Sequence, residues 1–174
     1  MDRSIKPKKY FVMMRGIPGV GKSKISKAIT RPLQAVIVKN DEIKNKLLKV
    51  LEFECATQIA YLTSYQLLFK NINAGHNVIF DSHALDLGIY KNCYQLAGRS
   101  HKLVVCECYC SDLDLWRKRL KKRTYKWQDT NPSVIIRKAL KRIDVLPTKN
   151  VIKIDTAQPL RENVKRVLKF IRGV

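Results

Sequence analysis

Residues 16–23 read GIPGVGKS, and this stretch decides the fold class of the 174-residue chain. Gly16, Gly21, Lys22 and Ser23 occupy the fixed positions of the pattern G-x-x-x-x-G-K-[ST]. Glycines at this spacing let backbone N–H groups turn towards phosphate oxygens, and the helix that follows adds the positive end of its dipole. The glycine spacing G-x-x-G-x-G excludes the G-x-G-x-x-G fingerprint of dinucleotide-binding folds. The stretch therefore predicts a strand, a phosphate-binding loop and a helix.

The same stretch predicts a site for ATP, or another nucleoside triphosphate, together with Mg²⁺. Lys22 is expected to reach the β- and γ-phosphates, and Ser23 to ligate the metal ion. The candidate nucleotide-binding residues are Gly16, Gly19, Val20, Gly21, Lys22, Ser23 and Lys24.

Short apolar runs alternate with helical periodicity along the rest of the chain. Five buried strands are predicted, at 10–14, 35–38, 77–80, 103–110 and 151–154. Helices are predicted at 22–29, 41–51, 55–72, 85–97, 113–126, 132–143 and 159–171. This alternation is typical of one α/β domain over 1–174, a three-layer sandwich with a parallel sheet and helices on both faces. Ligands of such sheets bind beyond the carboxyl ends of the strands.

Two aspartates stand at these strand ends. Asp41, which we expect to cap the second helix, is the candidate general base for a hydroxyl that attacks a phosphate. Lys44 lies on the same helix face and is a candidate contact for the acceptor. Asp81 is a candidate magnesium-side or acceptor-side carboxylate, with a simple helix cap as the alternative. Ser82 follows it where mechanical ATPases usually have glutamate, which favours a transferase.

The charge of the chain is +21, from 35 Lys and Arg against 14 Asp and Glu. Small domains rarely need more than about 8 charges for solubility, so the excess indicates a polyanionic partner. Nucleic acid is favoured over a membrane surface, because the apolar run Tyr10–Met14 is too short for a signal peptide or a spanning helix. Five cysteines without an export signal predict reduced thiols and a cytoplasmic (intracellular) location.

A strongly basic segment, residues 117–142, contains eleven Lys or Arg and one acid. It is predicted to form two basic helices that act as a short lid. Arg119 and Arg123 lie on one helix face, where they are candidates to stabilise the charge of a transferring phosphoryl group. Tyr125 and Trp127 are candidates to stack on a base. A solvated basic helix pair is the alternative interpretation.

Two further patterns favour structural roles. Asp112 and Asp114 resemble the D-x-D-x-[TV] nucleophile motif of haloacid-dehalogenase-type phosphatases, but Trp116 occupies its last position. A helix cap at Ser111 or Asp112 is the preferred interpretation. Three cysteines alternate along one strand face and predict buried small hydrophobic side chains rather than zinc ligands: Cys106, Cys108 and Cys110.

In their identity and order along the chain, these motifs resemble those of the small P-loop kinases of the polynucleotide 5′-hydroxyl kinase type. That branch also includes zeta-toxin-like and chloramphenicol-phosphotransferase-like kinases. The resemblance rests on GIPGVGKS, on NDEIK at 40–44, on a long helix ending before VIFD at 78–81, and on the pair of arginines in R-x-x-x-R. It implies Asp41 as general base, Lys44 as an acceptor contact where the family usually has arginine, and Arg119 with Arg123 as lid arginines. It also implies strand order 2-3-1-4-5.

The leading hypothesis is therefore an ATP-dependent kinase that phosphorylates the 5′-hydroxyl of RNA or DNA, with Lys22, Asp41, Arg119 and Arg123 as its catalytic residues. One alternative keeps the kinase and gives it a small-molecule acceptor such as a nucleotide, a sugar nucleotide or an antibiotic. The other is a nucleic-acid-stimulated ATPase. The loop at 156–159 is a positional candidate for the donor base. The sequence leaves the oligomeric state and the choice between RNA and DNA open.

Overall fold

A computed structural model describes residues 9–122, 131–141, 144–146 and 149–173 of the chain. Its elements follow in the order β1 (Lys9–Arg15), α1 (Lys22–Thr30), β2 (Ala35–Lys39), α2 (Asn40–Leu47), α3 (Phe53–Asn73), β3 (Asn77–Asp81), α4 (Leu87–Ala97), β4 (His101–Tyr109), α5 (Leu113–Lys121), α6 (Pro132–Leu140), β5 (Val151–Asp155) and α7 (Leu160–Gly173). The five strands are all parallel and lie in the order β2-β3-β1-β4-β5. The predicted fold class and strand order are confirmed.

The sheet separates two hydrophobic cores, which explains the continuous apolar run of its central strand. In β1, Val12 and Met14 pack into the core beneath α1 and α7. Phe11 and Met13 pack into the opposite core beneath α3 and α4. A strand that is buried on both faces has no solvent side on which a polar residue would be tolerated.

The carboxyl ends of the strands meet at one edge of the sheet. In β3, Asp81 is in register with Met14 of β1 on one side and with Lys39 of β2 on the other. The phosphate-binding loop follows β1, and α2 follows β2 directly. The residues proposed from the sequence therefore converge where ligands of parallel sheets bind.

The predicted start and end of α2 are wrong. Asp41 does not cap the helix, because β2 passes into α2 without a loop and the chain is already helical at Asn40. The N-cap position is Lys39, which makes no capping hydrogen bond through its side chain. The helix ends at Leu47 rather than near residue 51, in a tight turn where the Val50 N–H donates to the Leu47 carbonyl at 3.0 Å.

The predicted cap of α5 is confirmed. Asp112 caps α5, since its carboxylate accepts from the Leu115 N–H at 2.9 Å. Cys106 and Cys108 are buried in the core as predicted, whereas Cys110 lies beyond the end of β4 and is only partly buried. A hydrogen bond with Cys108 together with burial raises the pKa of the Cys106 thiol.

Among the described residues no cluster of His, Cys, Asp and Glu could hold a metal ion by itself. Nor does any helix of the described ranges have the length and apolar character to cross a bilayer.

Gly16 lies where the phosphate-binding loop approaches β4 closely. Its φ of +139° is unfavourable for other residues, and a Cβ there would lie 2.3 Å from the Cys108 carbonyl oxygen. We expect Gly16→Ala to lower the free energy of unfolding by about 3 kcal/mol, because strain and a backbone clash add. Urea denaturation measures the change.

Gly75→Ala is the matched control. Its φ is +75°, but a Cβ there would meet no atom within 4 Å, so only the backbone strain of about 1 kcal/mol is expected. Equal losses of stability in the two variants would contradict the close approach of Gly16 to β4.

Candidate active site

The phosphate-binding loop has the conformation that its glycines predict. Gly16, Gly19 and Gly21 all have positive φ, at +139°, +80° and +99°. α1 begins at Lys22 and has no acidic residue in its first turn. No carboxylate of the helix itself therefore competes with a bound anion for the positive end of the helix dipole. The buried Lys22 Nζ donates to the carbonyl oxygens of Gly16 at 2.7 Å and Ile17 at 3.1 Å. The ammonium group is thus held inside the curve of the loop.

Oxygen ligands lie beside this loop. Asp81 is buried, and its Oδ2 accepts from the Ser26 Oγ at 2.9 Å. It does not cap a helix, because α4 is capped by Asp86, whose Oδ1 accepts from the Ile89 N–H. Ser23 is exposed in the first turn of α1. A hydroxyl and a carboxylate are ligands that suit Mg²⁺, so the residues present fit the predicted metal ion.

These groups line a first cavity of about 410 Å³. Its walls include Gly19, Gly21, Lys22, Ser23, Lys24, Asp41, Asp81 and Arg119. Cations and glycine backbone from the loop thus share the cavity with three carboxylates, those of Asp41, Glu42 and Asp81. This arrangement is suited to a polyphosphate whose charge is shared by lysine and a metal ion.

Arg119 connects the loop to the end of β5. Its guanidinium donates to the Val20 carbonyl at 3.2 Å and to the Thr156 Oγ1 and carbonyl oxygens, each at 2.9 Å. The Thr156 hydroxyl itself donates to the Val20 carbonyl. A third cavity of about 110 Å³ opens beside this cluster and is lined by Arg119, Ala157 and Gln158 among others. The loop at 156–159, which begins with Thr156, is predicted as a candidate site for the donor base only from its position after the last strand.

A second cavity of about 390 Å³ lies on the other side of Asp41. It is lined by Lys44, Phe53, Tyr61, His83, Asp86 and Lys138, among others. The Lys44 Nζ lies 3.5 Å from the centroid of the Phe53 ring, and Lys44 is buried. Burial, followed by the neighbouring Tyr65, raises the pKa of Tyr61, so this phenol stays neutral. The cavity combines aromatic walls with lysine and carboxylate groups.

Asp41 lies where the first and second cavities meet. Within the part of the chain that the structure describes, it is the one residue that lines both of them. Its Oδ1 is 3.5 Å from Nδ1 of His83, and the His83 carbonyl accepts from the Gly16 N–H at 3.2 Å. His83 therefore contacts both the phosphate-binding loop and the carboxylate proposed as the base.

The structure brings most of the predicted site residues together. The first cavity is lined by the predicted residues Gly19, Gly21, Lys22, Ser23, Lys24, Asp41, Asp81 and Arg119, and Lys44 lies in the second. Gly16 and Val20, also predicted, are buried and are not among the lining residues. Three predicted residues lie outside the described residues: Arg123, Tyr125 and Trp127. The basic helices α5 and α6 are each anchored in the core, by Leu120 and Ile135 respectively.

Apart from Asp41 and Lys44, the residues that line the second cavity could not be predicted from the sequence. Phe53 and Tyr61 come from α3, His83 follows β3, and Lys138 comes from α6. No short motif joins residues so far apart, and only the fold brings them to one place. His83 carried one signal, its position two residues after Asp81 at a strand end.

Asp155 positions the turn that carries Thr156. Its Oδ1 accepts from the N–H groups of Ser111 and Ala157, each at 3.0 Å, and its Oδ2 accepts from the Ser111 hydroxyl. Burial alone would raise the pKa of Asp155, but these hydrogen bonds outweigh it and hold the pKa below the ordinary value of 3.8.

We expect Asp155→Ala to lower the free energy of unfolding by about 2 kcal/mol at pH 7, because charged hydrogen bonds are lost. Since the pKa is lowered in the folded state, this stabilisation is present above pH 3.8 and is lost as the pH falls through the folded-state value. Urea denaturation from pH 7 down to about pH 3 measures it. A stability difference between wild type and variant that stayed constant over this range would contradict the ionised role of Asp155.

Comparison with known proteins identifies a family and a shared fold. A family model described as an AAA domain matches residues 11–144. A search of curated protein sequences found no significant match.

Solved structures share the fold at low sequence identity. A candidate kinase from Chloroflexus aurantiacus J-10-fl has a TM-score of 0.75 and 17% identity over 96% of this chain and 98% of that one. The APS kinase CysC of Mycobacterium tuberculosis, in complex with AMPPNP and APS, has a TM-score of 0.67 and 15% identity over 96% and 99%. A chain of the Pnkp1/Rnl/Hen1 RNA repair complex has a TM-score of 0.62 and 16% identity over 81% of this chain and 46% of that one.

Proposed function

The chain belongs to the AAA domain family, whose model matches residues 11–144, and from this premise we propose that it is an ATP-dependent kinase. The observation that carries the proposal is the position of Asp41, which lines both the phosphate cavity and the second cavity. A carboxylate between a donor site and an acceptor site is where a kinase needs its general base. The APS kinase structure, which contains AMPPNP and APS, has the same fold and supports a two-substrate arrangement.

The donor occupies the first cavity in this proposal. Backbone N–H groups of the loop and the Lys22 ammonium bind the β- and γ-phosphates. Ser23 and Asp81 would hold Mg²⁺, which would neutralise part of the phosphate charge. The donor base lies in the third cavity, next to Arg119 and Thr156.

The acceptor occupies the second cavity and presents a hydroxyl to Asp41. The hydroxyl oxygen forms a bond to the γ-phosphorus, the bond from that phosphorus to the β,γ-bridging oxygen breaks, and ADP leaves with that oxygen. Asp41 accepts the hydroxyl proton. Arg119, together with Arg123 from outside the described residues, stabilises the charge on the transferring group.

We propose that the acceptor is the 5′-hydroxyl end of a polynucleotide. We further propose that residues 1–174 form the single domain that binds it. The second cavity, at about 390 Å³, is large enough for one terminal nucleoside, with Phe53 and Tyr61 available to stack on its base. Lys44 and Lys138 supply cations for the following phosphate. The net charge of +21 favours a polyanion over a neutral metabolite.

A small-molecule acceptor is the second candidate, and the APS kinase neighbour favours it. That structure holds a small acceptor in the same fold. The second cavity here is of a size that would also suit such a molecule.

Transfer from γ-labelled ATP with Mg²⁺ distinguishes these functions. The acceptors are 5′-hydroxyl RNA and DNA oligonucleotides, the same strands with a 5′-phosphate as blocked controls, and a panel of nucleotides and sugar nucleotides. We expect label on the 5′-hydroxyl strands alone, with a rate that falls steeply between about 50 and 200 mM salt. Label on a small acceptor instead would establish the second candidate. Release of free phosphate without a labelled acceptor would establish an ATPase.

A further inference from the structure

α1 and α7 pack side by side on one face of the sheet, and both present cations outwards. We define the α1–α7 basic face by the eight exposed basic residues Lys24, Lys27, Arg31, Arg161, Lys165, Arg166, Lys169 and Arg172. Glu162 is the one acidic residue of the two helices. The face borders the nucleotide site through Lys24, which also lines the first cavity. It lies apart from the second cavity, whose described lining contains no residue of either helix.

The cations of α7 form a regular row. At 3.6 residues per turn, Arg161, Lys165, Lys169 and Arg172 fall within an arc of about 80° and span about 16 Å along the axis. Val167 and Ile171 lie on the opposite side of the helix and are fully buried in the core. In α1, Lys24, Lys27 and Arg31 likewise fall within about 60°, opposite the buried Ile29. Each helix therefore turns its apolar side to the sheet and its cations to solvent.

We propose that the α1–α7 basic face binds the sugar–phosphate backbone of a single-stranded nucleic acid. The inference rests on the proposed polynucleotide acceptor and adds to it a second contact surface, remote from the reacting 5′ end. A row of cations along a helix matches a chain of phosphates, and each contact releases counterions. No aromatic side chain of α1 or α7 is exposed among the described residues, so the binding is to backbone rather than to bases.

A membrane surface fits this face less well. Helices that lie on bilayers bury an apolar face in the lipid headgroup region. The apolar side of α7 is already occupied by the core, through Val167 and Ile171, and Leu160 is the one large apolar residue that α7 exposes. The face therefore offers charge without an apolar anchor, which favours a soluble polyanion.

The test measures binding of a 20-nucleotide single-stranded RNA that carries a 5′-phosphate. Because this end cannot accept a phosphoryl group, binding is measured independently of catalysis, by fluorescence anisotropy without nucleotide. The triple variant K165A/K169A/R172A removes three charges from the basic face. The matched control K70A/K91A/R99A removes three exposed charges from α3, α4 and the turn after α4, on the opposite side of the sheet. Thermal unfolding confirms that both variants fold.

We expect the face variant to bind the strand about tenfold or more weakly at about 50 mM salt, and the control to lose less than about threefold. The slope of log K against log salt should fall by roughly 2 in the face variant, because each single-strand phosphate contact contributes about 0.7. The KM for a 20-nucleotide 5′-hydroxyl strand should rise, while kcat and the KM for a 5′-hydroxyl dinucleotide stay unchanged.

Three outcomes overturn the inference: equal losses in the two variants, no loss in either, or binding to phosphatidylserine vesicles that depends on the same residues and outcompetes the RNA. The proposed function is tested separately. If the wild type transfers phosphate to the strand but the face variant binds it normally, the surface is wrong and the acceptor stands. If the wild type binds the strand through this face but never phosphorylates it, the surface stands and the proposed acceptor is wrong.

Discussion

Asp41→Asn is expected to lower kcat by about 10³-fold, within the range of 10² to 10⁴ typical of a general base. The asparagine has nearly the same shape and keeps an oxygen at this position, but it cannot accept a proton from the attacking hydroxyl. The KM for ATP should change little, because the groups proposed to bind the donor phosphates belong to the loop and α1. Steady-state kinetics with γ-labelled ATP and the preferred acceptor measure both values.

Glu42→Gln is the matched control for this variant. Glu42 is the next residue along α2 and also lines the first cavity, and its carboxylate pairs with the Lys39 ammonium at 2.7 Å. Its neutralisation should leave kcat within about threefold of wild type, since exposed ion pairs contribute little. If the two variants lost activity equally, the effect would come from the charge of α2 and not from proton transfer at Asp41.

Lys22→Met should lower kcat/KM for ATP by about 10³-fold, the upper end of what one electrostatic contact to a transition state contributes. Methionine keeps an apolar stem and is one atom shorter than lysine, so most of the packing is preserved while the charge is lost. The ammonium lies within hydrogen-bonding distance of the Gly16 and Ile17 carbonyls, and it would donate to phosphate oxygens from inside the loop. Single-turnover transfer at saturating ATP distinguishes a loss of chemistry from a loss of binding.

Lys49→Met provides the comparison, because Lys49 is an exposed lysine in the turn after α2. It should retain wild-type kinetics. Near-wild-type transfer by Lys22→Met would contradict the assignment of the first cavity to the donor phosphates.

The sequence was sufficient to predict the fold and most of the residues that line the first cavity. The phosphate loop is contiguous, so a single motif specifies its glycines, its lysine and its serine. Buried parallel strands are short apolar runs, so their ends, and with them Asp41 and Asp81, could be located by pattern alone. The exact start of α2 could not, because a strand that passes into a helix without a loop leaves no turn residues to mark the boundary.

The rest of the site depends on tertiary contacts. The second cavity draws Phe53, Tyr61, His83 and Lys138 from separate elements, and each of these residue types is also common in ordinary helices and loops. The role of Arg119 was predicted from the lid, whereas its observed partners, Val20 and Thr156, become visible only when β5 is placed beside β4. Proximity of this kind is a property of the topology and not of any local motif.

The nearly distinct linings of the first and second cavities have a consequence for the kinetic mechanism. Since Asp41 is the one described residue common to both, the proposed donor and acceptor can occupy separate cavities without displacing one another. Transfer would then pass through a ternary complex, with no phosphorylated form of the enzyme between two half-reactions. Initial-rate lines at varied concentrations of both substrates should intersect instead of running parallel. ADP should compete with ATP and act as a mixed inhibitor against the acceptor.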